Sequence, residues 1–167
     1  MTEPLRSVLL GTAGLAGAAV AALVLTLARS GVDADEARLR TAVRTAAVAV
    51  ALQAAHFVEE LATGFPRRFP ELLGLAPWSG RFFIAFNLAW LAVWAVSLRG
   101  SATRRHVALF PLWFLGIAGV VNGVGHPLLA ARTGGYFPGL VTAPFVGVAG
   151  LLLLRAMLAI TDARRGA

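Results

Sequence analysis

Five stretches of this chain are each long and apolar enough to cross a lipid bilayer as a helix, and that leaves little room for any other architecture. They lie near 8–28, 34–62, 81–98, 106–130 and 140–160, with Arg, Pro and Gly gathered between them. At about 1.5 Å of rise per residue each can cross roughly 30 Å of hydrocarbon. A mean hydropathy of +0.76 and only 14% charged residues put the chain outside the range of soluble domains of its length. The predicted fold is all-α, a polytopic membrane protein built as a bundle of five transmembrane helices. A single integral membrane domain over 1–167 is expected, because no Pro/Gly/Ser-rich or charged stretch is long enough to be a linker.

The first run carries Gly11, Gly14 and Gly17 with Ala13, Ala16 and Ala18, which predicts a small-residue face for close helix packing. Arg6 and the small-x-small triplets would also suit a signal peptide, but the run is longer than a typical apolar region of that kind and is read as a retained helix. Asp33 with Glu36 three residues on predicts the cap of the second helix. Pro66, Pro70 and Pro77 predict that 63–80 is an interfacial loop, placed to act as a lid. In the third run Phe83, Asn87, Trp90 and Trp94 share one helix face. That face is either ordinary aromatic packing with Trp94 in an interfacial belt, or the apolar wall of a substrate cavity with Asn87 as its polar contact.

All 15 basic residues are Arg, and they cluster between or at the ends of the apolar runs, so the net charge of +7 reads as contact with lipid headgroups. A nucleic-acid partner is excluded, for there is no polar domain carrying a basic patch interleaved with aromatics. Arg6, Arg67, Arg68, Arg81 and Arg132 fall on the side of the N-terminus, and Arg29, Arg38, Arg40, Arg44, Arg99, Arg104, Arg105, Arg155, Arg164 and Arg165 on the other. The positive-inside rule then predicts a multi-pass protein of the plasma membrane with its N-terminus outside and its C-terminus cytoplasmic. Cysteine is absent, so any metal must be held by nitrogen and oxygen ligands.

Within the second run, Gln53, His56, Glu59 and Glu60 occupy one helical arc about 120° wide. Carboxylates at membrane depth cost several kcal/mol unless a partner, a proton or a metal accompanies them, so such a stripe is a functional-site hypothesis. Asn122 and His126 stand one turn apart in the fourth run, where Gly123 and Gly125 leave room for a backbone or a ligand. With alternating spans, His56, Glu59 and Glu60, Asn87, Asn122 with His126, and Tyr136 in the following loop all fall in one layer near the outer face. Facing one another keeps them out of lipid.

On three motifs the chain resembles the HXXEE-domain membrane proteins: His56-Phe57-Val58-Glu59-Glu60, Asn122-x-x-x-His126, and Tyr136-Phe137-Pro138-Gly139. The resemblance runs from the middle of the second helix to the start of the fifth. It implies an integral membrane protein with a metal-competent active site, and it names no substrate.

The residue types fit that chemistry directly. Two imidazoles and one or two carboxylates suit a divalent metal, zinc or iron, with a position left open. The expected ligands are His56, Glu59 and His126, with Glu60 as general base and Asn122 and Tyr136 orienting substrate or stabilising charge; the two glutamates can exchange roles. Phe83, Asn87 and Trp90 are the expected contacts to a lipophilic small-molecule substrate. The favoured function is metal-dependent hydrolysis within the membrane. The alternatives are a metal-free isomerase or terpene-cyclase-like enzyme with Glu as proton donor, a proton-coupled small transporter, and a purely structural hydrogen-bonded tie between two helices. Against the transporter stands the lack of any internal repeat.

Overall fold

The computed structural model describes residues 2–29, 34–103 and 105–161, without the side chain of His106. Every regular element among the described residues is a helix: α1 (Glu3–Gly11), α2 (Ala13–Ala28), α3 (Glu36–Ala62), α4 (Phe65–Leu72), α5 (Gly80–Ala102), α6 (Leu109–Thr133) and α7 (Ala143–Ile160), with one 3-10 turn at His106–Ala108. α3, α5, α6 and α7 are long and apolar enough to cross a membrane, and α1 with α2 forms a fifth span if that bent pair is counted as one. The protein is a polytopic helical membrane protein.

The seam between α6 and α7 is made of glycine. A Cβ on Gly123 would stand 2.6 Å from the Gly147 Cα, and one on Gly150 would stand 2.6 Å from the Gly116 carbonyl oxygen. The two backbones therefore touch, which is how helices gain contact in lipid, where burying apolar surface against a neighbour brings little advantage over lipid itself. α3 packs on α7 and α5, and α2 packs on α6. The buried stripe of α3 runs Ala42, Ala46, Ala49, Gln53, His56, Glu60. It is one face of the helix throughout, alanine for its first turns and polar for its last.

Four details differ from the sequence expectation. The first span is bent by 49° at Thr12. The Ser7 hydroxyl donates to the Ala76 carbonyl, Gly11 lies against the Trp78 ring, and Thr12 bonds back to the Val8 carbonyl, so α1 is held on the 73–79 segment while α2 goes its own way. The packing face of α2 is Ala18 and Ala22, whereas nothing stands within 4 Å of a Cβ on Gly14 or Gly17. The cap of α3 is Asp35, whose side chain accepts from the Arg38 amide at 2.8 Å; Asp33 lies outside the described residues, as do Arg104, Arg164 and Arg165. Finally, 63–80 is a loop only in part. Gly64, at φ +85°, turns the chain into α4, where Pro66 sits in the first turn, a place that tolerates a missing amide; Pro70 lies inside the helix, and the Pro66 carbonyl that its missing amide would have met accepts from the Trp78 amide at 2.9 Å instead.

Trp94 faces the inside of the bundle. It is buried, donates from Nε1 to the Pro111 carbonyl at 3.0 Å, and packs against Trp90 and Phe114. At the same end of the bundle, Arg29 reaches the Leu158 and Thr161 carbonyls, placing positive charge where the last carbonyls of α7 are unpaired.

The glycine seam makes a sharp comparison. Gly123→Ala should destabilise the protein by about 1–3 kcal/mol, because backbone rather than a flexible side chain opposes the new methyl. Gly14→Ala, with open space around it, should stay within about 0.5 kcal/mol of the parent. Reversible unfolding in detergent micelles checks both.

Candidate metal centre and its cavity

The last two turns of α3, the end of α6 and the 134–142 loop meet at one end of the bundle. His56, Glu60 and His126 are gathered there, at 0%, 7% and 3% exposure. Glu60 Oε1 stands 3.6 Å from His56 Nε2 and 3.4 Å from His126 Nε2, and one ligand atom from each residue lies within 4.8 Å of the others.

The outward nitrogens show how the rings are set. His126 Nδ1 is 2.6 Å from the Pro138 carbonyl oxygen, which can only accept, so Nδ1 carries the proton. His56 Nδ1 is 2.7 Å from Thr142 Oγ1, and that hydroxyl donates to Glu59 Oε2 at 2.5 Å, so it accepts from His56 Nδ1–H. In their neutral forms both rings therefore turn a bare Nε2 lone pair toward the same carboxylate oxygen. His56 Nε2 is buried with no hydrogen-bond partner.

Two lone pairs and a carboxylate in a buried pocket call for something positive between them. The spacing distinguishes the candidates. A direct hydrogen bond would bring the heavy atoms to about 2.7–3.0 Å. Ligands held tetrahedrally at roughly 2.0–2.1 Å from a zinc ion stand about 3.3 Å apart. The 3.4 and 3.6 Å separations lie nearer the second case, with all three ligand atoms within 4.8 Å of one another. The residues present thus fit a divalent cation with a His₂Glu donor set, and the Nδ1 partners supply the outer contacts that usually orient ligating imidazoles.

Glu59, the expected ligand, is elsewhere. Its Oε1 accepts from the Tyr136 hydroxyl at 2.6 Å and the Val141 amide at 3.0 Å, and its Oε2 from the Thr142 amide at 2.8 Å and the Thr142 hydroxyl. Those amides open α7, so the carboxylate also meets the positive end of that helix. The geometry gathers Glu60 with the imidazoles and commits both oxygens of Glu59 to the loop. Tyr136, expected to face substrate, holds Glu59 instead. Desolvation first, and then the bond to Glu59, push its pKa up, which keeps the phenol a donor.

The loop motif has a part for each of three residues. Tyr136 binds Glu59, Pro138 lends its carbonyl to His126, and Gly139 fits against both rings. A Cβ on Gly139 would stand 2.5 Å from His126 Cε1 and 2.9 Å from His56 Cε1, and its φ of +88° already favours glycine. Thr142 is the residue sequence reasoning missed. Its one signal was a hydroxyl at the mouth of an apolar run.

Beside the cluster lies a cavity of about 270 Å³. Glu60 and His126 are on its wall, together with Phe83, Asn87, Trp90 and Asn122, so the three expected substrate contacts and Asn122 share one space. Gln53, two turns before Glu60 on the same face of α3, lines it too. Gly125 opens onto the cavity, whereas Gly123 meets the α7 backbone. Phe65 and Phe69 of α4 close one side, with the Phe65 ring 5.5 Å from that of His126.

No curated protein and no solved structure matches the chain. Residues 47–153, which take in all three motifs and every residue of the cluster, match the family described as "Protein of unknown function with HXXEE motif", and the chain belongs to that family.

Proposed function

We propose that this protein is a membrane-embedded enzyme whose His56, His126 and Glu60 hold a divalent metal, zinc or iron, and which hydrolyses a lipophilic substrate in the adjoining cavity. The observation that carries the reading is the pair of Nε2 lone pairs turned on one Glu60 oxygen, with His56 Nε2 otherwise unpartnered. Such a metal supplies Lewis acidity, polarising a substrate carbonyl or lowering the pKa of a water.

The chain's own residues divide the remaining work. Glu60 is the carboxylate on the cavity wall, and with its Oε1 turned to the imidazoles, proton exchange with a group in the cavity falls to its second oxygen. Asn122, one turn from His126, orients substrate. Phe83 and Trp90 exclude water and accept an apolar body. Glu59 and Tyr136 act at one remove, Glu59 through Thr142 on the His56 ring. With the N-terminus outside the plasma membrane, as the distribution of Arg favours, the site opens in the outer leaflet, beside the short α4 that carries Arg67 and Arg68. A carrier would need a polar route through the far half of the bundle, where Leu112, Leu115, Leu153 and Met157 pack instead.

Purified protein should contain about one equivalent of zinc or iron by elemental analysis, and His126→Ala and Glu60→Ala should each lose it while keeping the helical circular-dichroism spectrum. Metal-free protein that leaves lipophilic esters and amides uncleaved, with or without chelator, would favour the acid–base isomerase or cyclase reading.

Thr142→Val should weaken metal affinity about 10- to 100-fold by removing the hydroxyl between Glu59 and His56, and Thr142→Ser should restore it. Competition with a fluorescent chelator measures both. Gly139→Ala should cost more than either, since a methyl there strikes both imidazoles as well as straining the turn.

A further inference from the structure

The cavity holds more polar chemistry than a metal centre alone requires. Gln53, Asn87 and Asn122 line a space whose other walls are largely aromatic. None belongs to the His56–Glu60–His126 cluster. Gln53 precedes Glu60 by seven residues, which is about 10 Å of helix rise on nearly the same bearing, and Asn122 precedes His126 by four, about 6 Å. Both steps lead away from the 134–142 loop and toward the middle of the bundle. The carboxamides form a second polar layer, one to two turns deeper than the first.

Their hydrogen bonding is incomplete. Gln53 is 7% exposed, and its side-chain oxygen is buried with no partner. Asn87 uses its Nδ2 on the Phe83 carbonyl at 2.9 Å, which leaves its oxygen as an acceptor. A buried carboxamide oxygen without a donor is costly, by about 1–3 kcal/mol, and a ligand in the cavity that supplies the donor recovers that cost once the Gln53 amide group turns its oxygen toward it. Glu60 and His126 at one level and Gln53 at the other line the same cavity of about 270 Å³, so a ligand that meets both layers extends over the roughly 10 Å between them.

We infer that the cavity selects an elongated apolar molecule bearing a second hydrogen-bond donor, a hydroxyl or an amide N–H, about two helical turns below the group presented to His56, His126 and Glu60. A plain alkyl chain fills the space but leaves Gln53 unpaired, so sites of this kind discriminate against the analogue that lacks the donor. The inference deepens the enzyme reading and rests on it for the placement of the first polar group only.

The test uses the full chain in detergent micelles and two probes, decanohydroxamic acid and its 8-hydroxy derivative, with tryptophan fluorescence as the readout, since Trp90 and Trp94 line the cavity. The hydroxylated probe should bind about tenfold more tightly to the parent protein. In Gln53→Leu the ratio should fall to near unity while decanohydroxamic acid still binds, and Asn122→Leu should reduce it in the same direction. Equal affinities in the parent, or a preference that survives both substitutions, would overturn the inference. Repeating the pair as decan-1-ol and decane-1,8-diol in the presence of chelator separates the two readings. A retained preference for the second hydroxyl there, with hydroxamates no better than alcohols in chelator-free parent protein, supports the deeper layer and sinks the metal centre.

Discussion

The carboxylate of Glu59 at the start of α7 is the interaction on which the site depends. It ties the end of α3 to the 134–142 loop through four hydrogen bonds, satisfying two backbone amides that would otherwise lack partners near membrane depth. Because Thr142 takes part, the same contact also sets the His56 ring. The half-buried carboxylate has four donors, and all of them come from one short turn.

That turn can be where it is because α6 and α7 lie backbone to backbone. Glycines on both helices let the pair close, so the short connection between them folds back over the end of α6 and lays Pro138 and Gly139 against His126. A bulkier seam would push the loop outward and separate the imidazoles. Packing between two helices thus governs the chemistry at their ends.

Seen from the cavity, the polar residues fall into two layers with different tasks. The layer nearer the 134–142 loop offers two imidazole lone pairs and a carboxylate; the deeper one offers carboxamides. Aromatic rings from α4 and α5 wall both. The space thus has apolar walls with polar groups set at two levels along its length.

Much of this was legible in the residue order. Runs of apolar residues determine that the chain spans a membrane, and the 3.6-residue period determines that Gln53, His56 and Glu60 share a face. Alternation of direction along successive spans brings His56 and His126 to the same end. The choice between Glu59 and Glu60 was not legible. They stand about 100° apart on the helix, and which one meets the imidazoles depends on how α3 is rotated, which Ala42, Ala46 and Ala49 settle by packing against other helices. The bend at Thr12, the burial of Trp94 and the part played by Thr142 were hidden for the same reason, for each rests on partners far away in the chain: Ala76 and Trp78, Pro111, and Glu59 with His56. Local periodicity tells which way a side chain leaves its helix, and only the assembled bundle decides what it meets there.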